Sequence, residues 1–389
     1  MAASPGSNLD HAALVESIEH LLRKFGDDYW IACDTSGTFP SAYYDAIADA
    51  GWLGIAMPEA FGGAGLGVTE ASMLMHAVAK AGGMTAASAI HINIFGPHPI
   101  VVHGTERQKS EWLPPLISGA QKCCFGVTEP DAGLDTTQIT TRAERTGGGY
   151  RVTGQKIWTS TAQHADKIML LARTTPRENC NRKTDGLSLF YTDLDRSRIE
   201  VREIAKMGRK AVDSNQVFLD DVFVPDDDLI GDEGKGFRYI LDSLNPERIL
   251  IAVEAIGIGQ DAVRRAAAYA RDRVVFGRPI GTNQSIQHPI AESWMELEAA
   301  HLMALEAARL YDRGLPCAAQ ANAAKYLGAE AALKACTNAV RTHGGMGYAR
   351  EYHVERLLRE VMIPVLAPVS GQMILNFVAE KVLDLPRSY

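Results

Sequence analysis

The sequence predicts an α+β fold in which two helical blocks flank a sheet, and three observations carry that expectation. Apolar residues recur at helical spacing near both ends: Leu14, Ile18, Leu21, Leu22 and Phe25, then Ile249, Ala252, Val253, Ile256, Val263, Ala267 and Ala270. The middle of the chain carries short strand-like runs separated by glycine turns. Strands do not alternate with helices, so the plan is one of segregated layers and not a doubly wound sheet.

Taken in order, the first block, residues 1–122, reads as an N-terminal helical domain. Thr69 is the expected cap of a helix running through Met73, Ala77 and Ala81. The corner Phe61-Gly62-Gly63-Ala64-Gly65-Leu66-Gly67 is glycine-rich, yet it is no dinucleotide fingerprint: a G-x-G-x-x-G match from Gly63 fails at Val68, and no strand precedes it. The second block, residues 123–232, reads as a middle antiparallel β-domain built on Tyr150–Thr153, Ile168–Leu171, Leu187–Tyr191 and Val217–Leu219. The third, residues 233–389, reads as a C-terminal helical bundle. Its first long helix presents one apolar face, with Gly257 and Gly259 letting neighbours approach closely.

Composition narrows the function. Apolar residues make up 46% and charged residues 22% of the 389, a globular profile. A formal net charge of −8 argues against nucleic acid as a partner, because phosphates need basic surfaces. The six cysteines form no CxxC pair, so reduced thiols and no metal site are expected. Cys123 and Cys124, adjacent on a strand, point to opposite faces and do not bridge. The start, MAASPGSNLD, has neither basic nor apolar leader regions, and no uncharged apolar run nears the ~20 residues of a membrane span. A cytoplasmic location and no membrane association are the expectations.

Four segments carry chemistry. Gly126-Val127-Thr128-Glu129-Pro130-Asp131-Ala132-Gly133-Leu134-Asp135 is a strand entering a turn that can present backbone N–H groups to a heterocycle or phosphate, or be simply a solvated turn. In Lys156-Ile157-Trp158-Thr159-Ser160-Thr161 an indole beside hydroxyls suits a flat ring, or is an ordinary half-buried strand tryptophan. Arg271, Arg273 and Arg278 surround a helix end in a manner suited to a pyrophosphate, with Asn283 and Gln284 following; a solvated helix terminus is the plain alternative. Arg341-Thr342-His343-Gly344-Gly345-Met346-Gly347-Tyr348 marks either a close backbone approach to a ligand or a tight turn. His343 alone reads as a satisfied core histidine.

In this order and across this plan, the Thr-Glu-Pro-x-Ala-Gly loop, the Trp-x-Ser strand, Arg-x-x-Phe-Gly-x-Pro-Ile-x-x-x-Gln and Gly-Gly-x-Gly-Tyr resemble the acyl-CoA dehydrogenase family over almost the whole chain. The resemblance implies FAD held between subunits of a homotetramer, an acyl-CoA substrate oxidised between its α and β carbons, and an electron-transfer flavoprotein as acceptor. It implies that Phe125, Val127, Thr128 and Gly133 line the flavin, that Trp158 stacks on it, and that Thr159 and Ser160 lie at its edge. Arg273, Phe276, Asn283, Gln284, Arg341, Gly344, Gly345 and Ser370 are the further cofactor contacts it implies. Asn245 and Arg248 match substrate contacts, Leu134 stands where serine is usual, and Asn93, Ile94, Phe95 and Gly96 are expected to border the acyl group.

One departure matters. Ala367-Pro368-Val369-Ser370 occupies the usual place of Tyr-Glu-Gly-Thr, so Pro368 replaces the common base and lacks the N–H that helps hold the thioester oxygen. A minority of the family, isovaleryl- and long-chain-type enzymes among them, places the glutamate just before the substrate arginine. Glu247 precedes Arg248 here and is the expected catalytic base; because that placement occurs in members that accept branched chains, a short or methyl-branched acyl-CoA is the expected substrate. Asn245-Pro246-Glu247 also reads as a helix start: cap, first-turn proline, and acid on the dipole. The same fold also carries flavin oxidases, monooxygenases, desulfinases and catalytically silent relatives, which stay open as alternatives.

Overall fold

The computed structural model describes residues 10–387; residues 1–9, which include most of the stretch read for a leader, lie outside. The first helices are α1 (His11–Leu22), α2 (Asp27–Ser36), α3 (Ser41–Asp49), α4 (Val68–Phe95), α5 (His98–His103) and α6 (Glu106–Ile117). The sheet follows as β1 (Cys123–Gly126), β2 (Arg142–Thr146), β3 (Gly149–Ser160), β4 (Lys167–Arg173), β5 (Leu187–Asp193), β6 (Ile199–Glu203), β7 (Ser214–Pro225) and β8 (Leu229–Ile230). Then come α7 (Gly236–Asp272), the hairpin β9 (Val274–Val275) and β10 (Arg278–Pro279), α8 (Gln284–Asp312), α9 (Ala318–His343), α10 (Val354–Glu360), α11 (Met362–Leu366) and α12 (Gly371–Lys381).

The middle sheet runs β6-β7-β3-β2-β4-β5-β8, with β1 alongside β4. It is mixed and not wholly antiparallel as expected: β1 pairs with β4 in parallel. The β2–β3 hairpin intervenes between them, and this excursion lets the chain return in the same direction. Cys123 and Cys124 fall into two different apolar clusters, one on each face of β1, and all six thiols are free.

Two expectations about helices need correction. Thr69 does not cap α4. The helix starts after Gly67, and a carboxylate from the far end of α8 caps it: Asp312 accepts from Val68 N (2.7 Å), Thr69 N (2.9 Å) and the Thr69 hydroxyl (2.6 Å). A Cβ on Gly67 would come within 2.6 Å of that carboxylate. The apolar stripe of α7 is also not one face, because every residue from Ile249 to Gly259 is buried. A helix apolar all round belongs at the centre of a bundle, and α4, α8 and α9 surround this one. The small residues permit that: a Cβ on Gly257 would meet the α4 backbone at His76 O (2.6 Å), and one on Gly259 would meet Ala332 of α9 (3.0 Å).

Helix α4 bends at Gly83, whose φ of 74° only glycine adopts easily. The bend is held from α10. Arg356 donates to Gly82 O, and Glu360 accepts from Thr85 N and the Thr85 hydroxyl. These groups take over backbone partners that the helix gives up, and they aim its second half, with Ser88, His91 and Phe95, toward α7. Among the described residues, Val354–Lys381 is long and apolar enough by composition to cross a membrane. It is folded as three short helices, interrupted at Val361 and around Pro368.

Candidate active site

Two chain segments are bound into one wall. Ile157 N donates to Thr128 O (2.9 Å), joining the turn after β1 to β3. Lys156, fully buried, donates to Val127 O (3.1 Å) and to Glu129 (2.8 Å). Glu129 also accepts from Thr140 N, the Thr140 hydroxyl and Thr141 N. Its carboxylate is therefore turned inward as a brace. Burial alone would raise its pKa, but Lys156 and the threonine donors bring it down to about 2. Burial in turn pushes Lys156 down to about 8 despite the carboxylate beside it.

Trp158 is not an ordinary half-buried strand residue. The β3–β7 register slips between Lys156 and Thr159, and Trp158 sits there with φ 60° and 56% exposed. A bulge of this kind re-aims one side chain, here a flat indole turned into the open beside Thr128 and Ser160. Thr159 is buried with an unpartnered hydroxyl. Ser160 is fixed from behind by Arg209, whose guanidinium donates to Ser160 (3.1 Å), Ser88 (3.1 Å) and Ser214 (2.6 Å). Phe125 meets Phe95 of α4 at 5.5 Å between ring centroids, so the wall abuts the helix bundle. Gly133 and Leu134 lie exposed on the turn, and a Cβ on Gly133 would touch nothing. An exposed indole, an ordered serine and an open turn fit the edge and face of a flavin ring.

The second part of the site is α7. Asn245-Pro246-Glu247 is not a helix start, because α7 begins at Gly236 and Pro246 lies inside it. The proline offers no N–H to the carbonyl of Asp242, while Arg248 donates to Asn245 Oδ1 (3.2 Å) and Leu244 O (3.4 Å). Glu247 is half-buried. Desolvation raises its pKa, with His91 and Arg248 pulling it down and Glu254 pushing it up. Arg248 Nε, Asn93 Nδ2 and Ser243 Oγ are buried without protein partners, which is the state expected of donors that serve a ligand. A narrow apolar cavity of about 30 Å³ lies here, lined by Ile94, Phe95, His98, Val101, Pro246 and Leu250. Ile94 and Phe95, expected to border the acyl group, line it. His98, kept below its ordinary pKa by burial, bonds Tyr311 at 3.0 Å.

The loop that carries Pro368 stands near this end. Lys325 of α9, which feels the charge of Arg248, donates to Val369 O (2.6 Å) and Val365 O (3.5 Å). Ser370 caps α12 by accepting from Met373 N.

The remaining expected cofactor contacts lie elsewhere. Arg273, Phe276, Asn283 and Gln284 follow the C-terminus of α7, 26 residues beyond Glu247, which at 1.5 Å per residue is about 39 Å along the helix. Arg341, Gly344 and Gly345 end α9 at the same place, where His343 stacks on Tyr269 at 4.2 Å and bonds Ala339 O through Nδ1. Phe276 is completely exposed. One chain therefore does not bring these residues to Glu247. The sequence reading missed Arg209, His91 and Glu254. The signal for Glu254 was a lone carboxylate inside an otherwise apolar run.

Comparison with known proteins gives the class. Residues 8–120, 124–222 and 234–383 match the N-terminal, middle and C-terminal domains of acyl-CoA dehydrogenase. The chain belongs to the acyl-CoA dehydrogenase family: it is an oxidoreductase acting on the CH–CH bond of an acyl-CoA, with FAD as cofactor. It is 35% identical over 389 residues to the acyl-CoA dehydrogenase FadE12 of Mycobacterium tuberculosis, covering 98% of this chain and 97% of that one. It is 32% identical to CarC, a subunit of the caffeyl-CoA reductase-Etf complex of Acetobacterium woodii, over 87% of this chain and 89% of that one. Butyryl-CoA dehydrogenase from Megasphaera elsdenii superposes with a TM-score of 0.91 at 27% identity, covering 98% and 100% of the two chains.

Proposed function

We propose that Glu247 is the base of this dehydrogenase and that the preferred substrate is a short or methyl-branched acyl-CoA. The observation that carries the reading is the pairing of Glu247 with Arg248 on α7, while Pro368 fills the alternative position and has no carboxylate to offer. Bound FAD would supply the acceptor for the hydrogen leaving the β-carbon. The remaining work falls to the chain. Arg248 and the unpartnered donors around it hold the acyl-CoA, Glu247 takes the α-proton onto a carboxylate oxygen, and desolvation strengthens that oxygen as an acceptor. The place of the base on α7, which resembles that of family members accepting branched chains, supports a short or methyl-branched acyl group.

The separation of Arg273 and its neighbours from Glu247 along α7 supports a homotetramer in which a second copy brings them to the flavin. Leu134 borders both cofactor and substrate without the usual hydroxyl. An electron-transfer flavoprotein is the proposed acceptor, a reading supported by the Etf complex that the CarC name records. The free thiols support a cytoplasmic location.

The test is an anaerobic titration of FAD-loaded protein with straight and branched acyl-CoAs, comparing wild type with Glu247→Gln. Wild type is expected to bleach, best with a short or branched thioester. The variant is expected to bind yet react at least ~10²-fold more slowly, the lower end of what a positioned base contributes. Full turnover by the variant refutes the base. No bleaching by any thioester in wild type turns the reading toward the oxidase or silent branches of the fold.

A further inference from the structure

A second carboxylate stands behind the candidate base. Glu254 lies seven residues after Glu247, two helical turns on and about 10 Å farther along the same face of α7. It is fully buried, with one oxygen 2.6 Å from His91 Nδ1 and the other unpartnered. His91 is buried on the second half of α4, one turn before Phe95, whose ring it touches at 4.8 Å. Helices α4 and α7 run antiparallel here: His91 meets Glu254, while Phe95 shares the apolar cavity with Leu250 and Pro246, the residue before Glu247, and Glu247 feels the charge of His91.

We propose that the His91–Glu254 pair is a positioning device for the base: Glu254 holds an imidazolium on α4 that faces Glu247 and keeps its carboxylate ionised before substrate binds. This rests on the assignment of Glu247 as base. The charges around the pair are few. His91 sees Glu254 and Glu247 on α7 and Arg209 from the segment before β7; Glu254 sees His91, Arg209 and Tyr43 of α3; Glu247 sees His91, Glu254 and Arg248. Burial alone would strip the proton from His91, but Glu254 outweighs it and Glu247 adds, so the imidazolium is favoured above the ordinary histidine value. Arg209 opposes this through its charge, and its guanidinium also donates to Ser160 on the strand of Trp158.

Removing either member removes the cation. Without Glu254 the buried imidazole loses the carboxylate that holds its proton, and without His91 the imidazolium is gone. In both cases Glu247 loses the cation that favours its charged form. His91→Gln, Glu254→Gln and the double variant are therefore expected to shift the acid limb of kcat/KM upward, by about one pH unit in His91→Gln and by less where Glu254 is also lost, with acyl-CoA binding kept. A second readout needs no turnover: ¹⁵N-histidine NMR of wild type should show an imidazolium signal that persists above neutral pH, vanishes in His91→Gln, and becomes neutral imidazole in Glu254→Gln. An unmoved acid limb, or a neutral His91 in wild type, overturns the proposal even if Glu247→Gln is inactive. Additive shifts in the double variant also overturn it, because the two residues would then act separately. An active Glu247→Gln with the same NMR signature instead removes the base assignment on which the proposal rests.

Discussion

Glu129 and Glu247 are both carboxylates taken out of water, and their surroundings push them in opposite directions. Glu129 meets an ammonium and three threonine donors, so it stays charged and works as a brace. Glu247 meets mostly desolvation, so its proton affinity rises, as a base requires. For Glu129 the folded pKa, about 2, lies below the ordinary value of 4.5. The stability it contributes is present above pH 4.5 and is lost as pH falls through about 2. Lys156→Met is expected to destabilise the fold by ~3–5 kcal/mol, since it strands a buried charge, and to weaken that acid-side dependence. Urea unfolding at pH 7 and pH 3 checks both. For Glu247 the loss on acidification is one of activity and comes at higher pH: turnover falls as pH drops through its raised pKa, because only the ionised form accepts a proton.

At the scale of elements, α4 has the job of aiming residues at α7, and both its start and its bend are set by residues from far along the chain. Asp312→Ala removes the acceptor for two backbone N–H groups and a hydroxyl, and is expected to cost ~1–3 kcal/mol. The midpoint of chemical unfolding should fall accordingly while the sheet's own contacts stay intact. Neither device was legible in the sequence. The helices themselves were, because Leu14, Ile18 and Leu22 or Ile249, Val253 and Ile256 repeat with the period of the element. A cap whose donor and acceptor lie 244 residues apart, or the His91–Glu254 pair 163 residues apart, leaves no local pattern. Trp158 was visible as a residue type, but its outward turn depends on a register slip against β7, which is a property of the partner strand as much as of its own.

At the scale of the whole molecule, α7 carries the candidate base toward one end and leads to the arginine-bearing hairpin at the other, roughly 39 Å away. If each copy lends its hairpin to a neighbour, subunits with different defects should rescue one another. Co-expressing Glu247→Gln with Arg273→Ala is expected to restore activity that neither homo-oligomer has, because a mixed assembly contains sites with an intact base and an intact hairpin. Absence of rescue in assemblies shown to be mixed argues that each site is served by one chain. The molecule also has distinct cores on the two faces of its sheet, and β1 places one thiol in each: Cys123 against Trp112 and Tyr191, Cys124 against Tyr150 and Phe190. Burial pushes both thiols well above their ordinary proton affinity, so neither is a nucleophile until its own layer opens. Two neighbouring side chains of one strand thus serve as separate chemical clocks, and the order in which an alkylating reagent reaches them records which side of the protein comes apart first.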